Sequence, residues 1–423
     1  MSIAGKSKKY AMNLLVLVIS LLVSSLVAEL VLHIFVAGGP PKVPTQFFEY
    51  NAELGWSKIP NRDGWYMSPE YTVHKKMNSK GLRGPECPYQ KPENEYRILC
   101  LGDSYCEGIS VDIDDLFITR LEEALNDRDD GRDYRVINGG TSAYSNDQEL
   151  LFFEIEGHKY NPDLVILLVC LNDIWHNIRN HYGIWPKPVF EIDDGELKLT
   201  NSPVPEFVIP EAEPPDEVAM KFTAPAIKEW LNENSRIYSF IRRNVRSSDW
   251  LYRVALKLGL AHKIEAPDMP PIEGVPAVSP LPEEYKVWNK TPPPDIKRAW
   301  LVTEAILARL KRKVRAAGAE LLVFYIPDKG SVEEKPMRTT MQNYGLTDEH
   351  FDLTKPAKDI KAICDRLSIS CIEPTEQFRQ EALRLGKLDR GLHFKFDGHW
   401  SKDGNRFVAK ILQDEIEGRF LKK

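Results

Sequence analysis

Arg97-Ile98-Leu99-Cys100-Leu101-Gly102-Asp103-Ser104 is the stretch from which the fold is read. Its apolar run stops at Gly-Asp-Ser. A short run bounded by glycine has the signature of a strand buried on both faces of a parallel sheet. In open α/β sheets, ligands bind beyond the carboxyl ends of strands, where the chain turns toward a helix. The stretch therefore predicts Ser104 at that edge, in a tight turn that Gly102 permits. A serine so placed is a candidate nucleophile, needing a base and an oxyanion site from elsewhere in the chain.

Toward the C-terminus the pattern repeats. Asp114-Asp115 predict a helix through about Asn126, with Phe117, Leu121 and Leu125 on one face. Tyr134 to Asn138 reads as a second strand, followed by Gly139-Gly140-Thr141-Ser142-Ala143-Tyr144. Ser145 and Gln148 match a capping box that opens a further helix. Leu164 to Leu171 is a third apolar strand, ending in Asn172-Asp173. Strands separated by helical patterns predict a doubly wound α/β domain.

The rhythm breaks from 183 to 294, a proline-rich stretch expected to be an insertion over the active-site edge. Within it, Val189 to Ile192 and Glu196 to Leu199 flank Asp193-Asp194-Gly195, the pattern of a hairpin, and a helical interval is expected near Ala224 to Leu260. From 295 the alternation resumes. Ile296, Trp300, Thr303, Leu307, Leu310 and Val314 form one helical face, and Glu320 to Ile326 reads as a strand. A helix near Lys355 to Leu367 leads to a strand at Ser368 to Ile372. The last helix, Ser401 to about Glu415, follows Phe396-Asp397-Gly398-His399-Trp400.

Composition narrows the function classes. The 423-residue chain has a net charge of -6, so it lacks the basic excess that nucleic acid requires. None of its six cysteines has Cys-x-x-Cys spacing, which removes zinc-knuckle and redox motifs. Cys100 and Cys170 lie in strand-like runs as small core residues, and nothing in the sequence marks Cys106 as a reactive thiolate. At the N-terminus, Lys6, Lys8 and Lys9 precede an apolar run from Ala11 to Ala28, and after Glu29 another from Leu30 to Ala37. That length can span a bilayer, and the lysines would hold the N-terminus in the cytoplasm. Leu26 stands where a signal-peptidase site wants a small residue. The expected organisation is a cytoplasmic N-terminus (1–10), an uncleaved single-pass anchor (11–37), a turn-rich lead-in (38–96), and an extracytoplasmic domain in two parts (97–182 and 295–423) around the insertion (183–294). That domain would lie in the periplasm or at the cell surface.

Ser104, the Gly140–Ala143 loop, Asn172 and His399 each fall after a strand or before a helix, on one edge of one sheet. Acyl transfer needs a nucleophile, a base in hydrogen-bond reach and donors aimed at the developing oxyanion. Ser104 can be the nucleophile, His399 the base, and Asp397 the group that orients the imidazole. The Ser104 N–H, a loop N–H at Ala143 or Gly140, and the Asn172 amide can bind the oxyanion. Asp103 and Asp173 read as structural. His393, Trp400, Tyr105, Trp175 and His176 can line the pocket or pack beneath it.

This arrangement resembles the SGNH/GDSL hydrolase superfamily. Gly102-Asp103-Ser104 matches its first block, Val136-Ile137-Asn138 to Gln148 the second, Asn172-Asp173 the third, and Asp397-Gly398-His399 the last. The resemblance implies a flavodoxin-like three-layer α/β/α fold and ester chemistry without metal or other cofactor. Three positions depart from the family pattern. Ala143 stands at the oxyanion glycine, Leu171 precedes Asn-Asp in place of glycine, and Phe396 occupies the position three before His399. Asp-x-His-Trp is similar to the variant in membrane-anchored envelope-polysaccharide O-acetyltransferases. The expected protein is a membrane-anchored serine esterase acting on an O-acyl ester, such as an acetylated glycan, through an acyl-enzyme. The alternatives are an O-acetyltransferase of an envelope polysaccharide and a catalytically inactive envelope binding or assembly protein.

Overall fold

The computed structural model describes residues 3–35, 44–68, 70–128, 130–209, 282–388 and 390–421, with 235, 237–238, 254–255 and 257–258. The chain divides into two compact units. One comprises Met1–Pro44, Met67–Thr72 and Glu213–Pro267. Its helix Ile3–Phe35 continues through Glu29, so the interruption between the two apolar runs does not break it. The Glu29 carboxylate accepts hydrogen bonds from Ser235 Oγ at 2.9 Å and the Ile237 N–H at 3.1 Å. Among the described residues no helix is long and apolar enough to cross a membrane, so the anchor expected over 11–37 is not a structural finding. The helical interval expected near Ala224 to Leu260 lies almost wholly outside the described residues.

The second unit comprises Thr45–Tyr66, Val73–Ala212 and Asp268–Lys423. Its centre is a five-stranded sheet of β1 (Glu95–Leu101), β2 (Asp133–Asn138), β3 (Leu164–Val169), β4 (Glu320–Tyr325) and β5 (Ser370–Ile372). The spatial order is β2-β1-β3-β4-β5, with every neighbouring pair parallel. This is the flavodoxin-like order, and its winding reverses between β1 and β3. A crevice opens at such a reversal, beyond the strand ends that carry Ser104 and Asn172.

Among the described helices that pack on the sheet are α1 (Phe117–Asn126), α2 (Asn146–Ile155), α3 (Leu171–His176), α4 (Pro294–Ala316), α5 (Lys355–Leu367), α6 (Thr375–Gly386) and α7 (Lys402–Arg419). Strand side chains alternate between two cores. Leu99, Leu101, Val165, Leu167, Val323 and Tyr325 are buried with residues of α2, α4 and α5. Ile98, Cys100, Ile166, Leu168, Leu322 and Phe324 are buried with residues of α1, α6 and α7. Burial on both faces is why these strands read as unbroken apolar runs.

Several boundaries differ from the sequence reading. β3 ends at Val169, and Leu171 opens α3 instead of closing the strand. Asp114 and Asp115 lie in a short turn before α1, whose first N–H, that of Phe117, donates to Asn405 Oδ1 of α7 at 3.1 Å. The capping box at Ser145 does not form: Ser145 Oγ bonds to Asp147, and the Gln148 amide donates to the Leu54 carbonyl at 2.7 Å. Tertiary partners replace local ones in both places. α6, which sequence reading left out, buries Phe378 and Leu385. The hairpin Val189–Asp193/Glu196–Thr200 is present, and Phe190 at its start is buried.

Candidate active site

The turn after β1 is built around two residues. Asp103 caps the helical turn Ser104–Glu107, its Oδ1 accepting the Tyr105 N–H at 2.9 Å. Gly102 is required by contact: a Cβ there would lie 2.7 Å from Cys106 Cβ and 3.1 Å from Leu168 Cβ. Ser104 is thereby held at the mouth of the β1/β3 reversal.

His399 arrives from the other end of the chain. Gly398, at φ +84°, turns the backbone so that the Asp397 carboxylate folds back onto the His399 ring. His399 Nε2 lies 2.7 Å from Ser104 Oγ, and Nδ1 faces Asp397 Oδ1. The assignment of Nδ1–H to Asp397 follows from this network. The loop is tied down behind the histidine. Trp400 is buried, its carbonyl accepts Ser110 Oγ at 2.7 Å, and its ring lies among Tyr105, Phe117, Phe324 and Phe378. Trp400 therefore packs rather than lines the pocket. His393 does the same, bonding the Pro327 carbonyl at 3.2 Å. Trp175 is buried beneath the Arg179 guanidinium, and His176 stacks on Tyr182 with ring centres 4.2 Å apart.

The two candidate loop donors separate clearly. The Gly140 N–H donates to Asn138 Oδ1 at 3.0 Å, and its carbonyl accepts Lys58 Nζ. Gly140 is thus spoken for internally, contrary to the expectation that it could serve the oxyanion. Ala143 has φ +66°, in the left-handed region, and its N–H makes no hydrogen bond among the described residues. The Asn172 side chain lies beside the Asp103 carboxylate and the Tyr182 hydroxyl, and its Oδ1 is buried without a partner among the described residues. Asp173 is structural, its Oδ2 accepting the Cys170 N–H at 2.7 Å and the Asn146 amide at 3.1 Å.

Buried charge surrounds these groups. Burial pushes the Asp103 carboxyl up, against the opposing pull of the Tyr105 N–H and His399. Glu149 and Asp173 are pushed well above the ordinary range by burial and by their neighbouring carboxyls. Glu107 behaves oppositely: burial would raise it, but Lys75 and Lys58 hold it at about 2. Burial brings Lys58 down to about 8. Burial also pushes the Cys106 thiol well up, so it does not compete with Ser104 as nucleophile.

Sequence reading missed Glu107, Lys58, Lys75, Arg83 and Tyr182. Glu107 had a usable signal, since a residue three after the nucleophile faces back on the same helical turn. The others come from the lead-in and, in the case of Tyr182, from the end of the domain's first part, where no periodicity marks a partner.

No family model matches the chain, and no curated protein does. Among solved structures, TesA matches at 13% identity and a TM-score of 0.35, over 76% of this chain and 98% of its own. The acetyl xylan esterase AlAXEase matches at 13% and 0.38, over 76% and 99%. A catalytic mutant of Axe2, an acetylxylan esterase from Geobacillus stearothermophilus, matches at 12% and 0.36, over 76% and 94%. Similarity at this level assigns neither activity nor substrate.

Proposed function

We propose that the chain is a serine esterase acting on O-acyl esters, acetyl esters foremost, through an acyl-enzyme. The observation that carries this reading is the Ser104 Oγ to His399 Nε2 distance of 2.7 Å, with Asp397 on the far side of the ring. Ser104 Oγ attacks the ester carbonyl carbon as His399 Nε2 takes its proton. The carbonyl π electrons move to oxygen, which the Ser104 and Ala143 N–H groups and the Asn172 amide stabilise. Asn172 contributes through its amide NH2, which must face the ester carbonyl oxygen. Collapse of the tetrahedral intermediate breaks the ester C–O bond, and the imidazolium returns the proton to the leaving alcohol. Water, deprotonated by His399, then repeats the sequence on the acyl-serine and releases the carboxylic acid.

Membrane anchoring with the catalytic unit outside the cytoplasm belongs to the same proposal. It is supported by the helix Ile3–Phe35, whose apolar side chains Leu15, Leu21, Leu26 and Leu30 are 56–70% exposed, and by the lysines before Ala11.

The test is performed on the full chain in detergent. A fluorophosphonate should label Ser104, and p-nitrophenyl acetate should be hydrolysed. Ser104→Ala should abolish both, and His399→Ala should slow labelling by at least about 100-fold. A wild-type chain that neither labels nor turns over would remove the esterase reading and leave the inactive envelope protein. Acetylated product from added oligosaccharide would move the reading to O-acetyl transfer, in which a sugar hydroxyl replaces water.

A further inference from the structure

We infer that Glu107 is a positioning residue of the oxyanion site: its carboxylate, clamped from the lead-in segment, holds Ser142 by its N–H and hydroxyl, and so sets the residue next to Ala143 so that the Ala143 N–H faces the ester carbonyl. The inference rests on the esterase reading and adds to it a residue three positions beyond the nucleophile.

Glu107 is fully buried, and its two oxygens have separate duties. Oε1 accepts Lys75 Nζ, itself fully buried. Oε2 accepts both donors of Ser142, the N–H at 2.8 Å and Oγ at 2.7 Å. Arg83 fixes the end of the same turn, donating to the carbonyls of Glu107 at 3.0 Å, Gly108, and Val111 at 2.7 Å. The loop also touches the turn directly: a Cβ on Gly140 would lie 2.4 Å from the Glu107 nitrogen.

The clamp sits where the backbone needs one. Ala143 occupies the left-handed region, which L-residues adopt only when their surroundings over-determine it. On one side Ser142 is held by Glu107 at its N–H and hydroxyl and by Trp56 Nε1, which donates to its carbonyl at 3.1 Å. On the other, the Tyr144 hydroxyl donates to the Trp56 carbonyl at 2.6 Å and its N–H to the Thr141 carbonyl at 3.1 Å. Anchored residues thus bracket Ala143, and its peptide cannot turn without breaking one anchor. Only an ionised carboxylate serves here, because it accepts from Ser142 and Lys75 without offering a donor of its own. A glutamine would set an N–H against Lys75 or against Ser142.

The experiment uses the full chain in detergent, with kcat expressed per fluorophosphonate-labelled site and thermal midpoints measured alongside. Glu107→Gln should lower kcat for p-nitrophenyl acetate by about 100-fold, with KM within about threefold. Ser142→Ala, which removes one bond and keeps the N–H, should lower kcat by about 3- to 10-fold at an unchanged midpoint. The double variant should fall well short of the product of the two losses, since both act through one contact. A merely structural role predicts a lower midpoint with kcat per labelled site intact. That result, or a fully active Ser142→Ala should Glu107→Gln not fold, overturns the inference alone. An inert wild-type chain overturns the esterase reading, and the positioning role with it.

Discussion

Tyr105 stands directly against His399. Their ring centres are 4.7 Å apart at 37°, and the Tyr105 hydroxyl donates to the Gly398 carbonyl at 3.0 Å. The residue after the nucleophile therefore supports the base that activates it. Ser104 and His399 are 295 positions apart, yet one side chain fixes their relative placement. Tyr105→Phe keeps the ring contact and loses the bond to Gly398, and should reduce kcat by about 3- to 10-fold. Tyr105→Ala removes both and opens a cavity beside Trp400, so it should lower stability by about 3 kcal/mol as well as kcat. Kinetics on p-nitrophenyl acetate, with urea unfolding of each variant, separates the two effects. Equal kcat in wild type and Tyr105→Ala would refute the supporting role.

The strain at Ala143 gives a second expectation. Glycine adopts φ +66° without a Cβ penalty, whereas alanine pays about 1 kcal/mol there. Ala143→Gly should therefore raise stability by up to about 1 kcal/mol, less what the more flexible unfolded chain takes back. Its N–H remains, so kcat should stay within about threefold of wild type. Ala143→Val, β-branched at the same dihedral, should lose both stability and kcat. A stabilising Ala143→Val, measured by thermal unfolding, would show that the loop does not hold this conformation in solution.

The strands and the Ser104 turn were legible because β1, β3 and β4 are buried on both faces and show as unbroken apolar runs. Order along the chain, with glycine or Asn-Asp after each run, then placed Ser104, Asn172 and His399 on one edge. The support around them was not legible. Lys58, Lys75 and Arg83 belong to a segment without periodicity, and their importance lies in burial against Glu107, which no local pattern encodes. Ser145 and Gln148 misled for a related reason. Their motif is local, but Asp147 and the Leu54 carbonyl won both side chains. Gly140 looked like a donor because glycine suits a loop near an oxyanion. Its actual requirement is close contact with the Ser104 turn, where a Cβ would also lie 2.6 Å from Cys106 carbon atoms. Gly140→Ala should accordingly cost about 2 kcal/mol or more in urea unfolding.

Asp397 faces His399 Nδ1 across a turn that only Gly398 intervenes in, so the carboxylate fixes both ring orientation and tautomer. Asp397→Asn keeps the shape, but its amide NH2 can face Nδ1, leaving the Nε2 tautomer unable to accept the Ser104 proton. Its kcat should fall by about 1,000- to 10,000-fold. Combining it with His399→Ala should add little, because the two act as one unit. Single-turnover acylation by p-nitrophenyl acetate measures this without interference from deacylation. A loss below tenfold would assign Asp397 to the loop's structure instead.

Glu107 also sets an acid limit on stability, and its sign follows from the direction of its shift. In the folded chain Lys75 and Lys58 outweigh burial and hold Glu107 at about 2, below its ordinary value of 4.5. A carboxyl depressed in this way contributes stability that is fully present above about pH 4.5 and is lost as pH falls through about 2. The amount at stake is on the order of 3 kcal/mol. Asp103, Glu149 and Asp173 shift the other way, so their protonation on acidification favours the folded state and partly masks the loss. The difference between wild type and Glu107→Gln removes that background, because those three carboxyls are common to both. Unfolding free energies of the two chains, measured by urea from pH 7 down to pH 2, should therefore converge below about pH 4.5. A gap that stays constant over the whole range would mean that Glu107 is not ionised where it is buried.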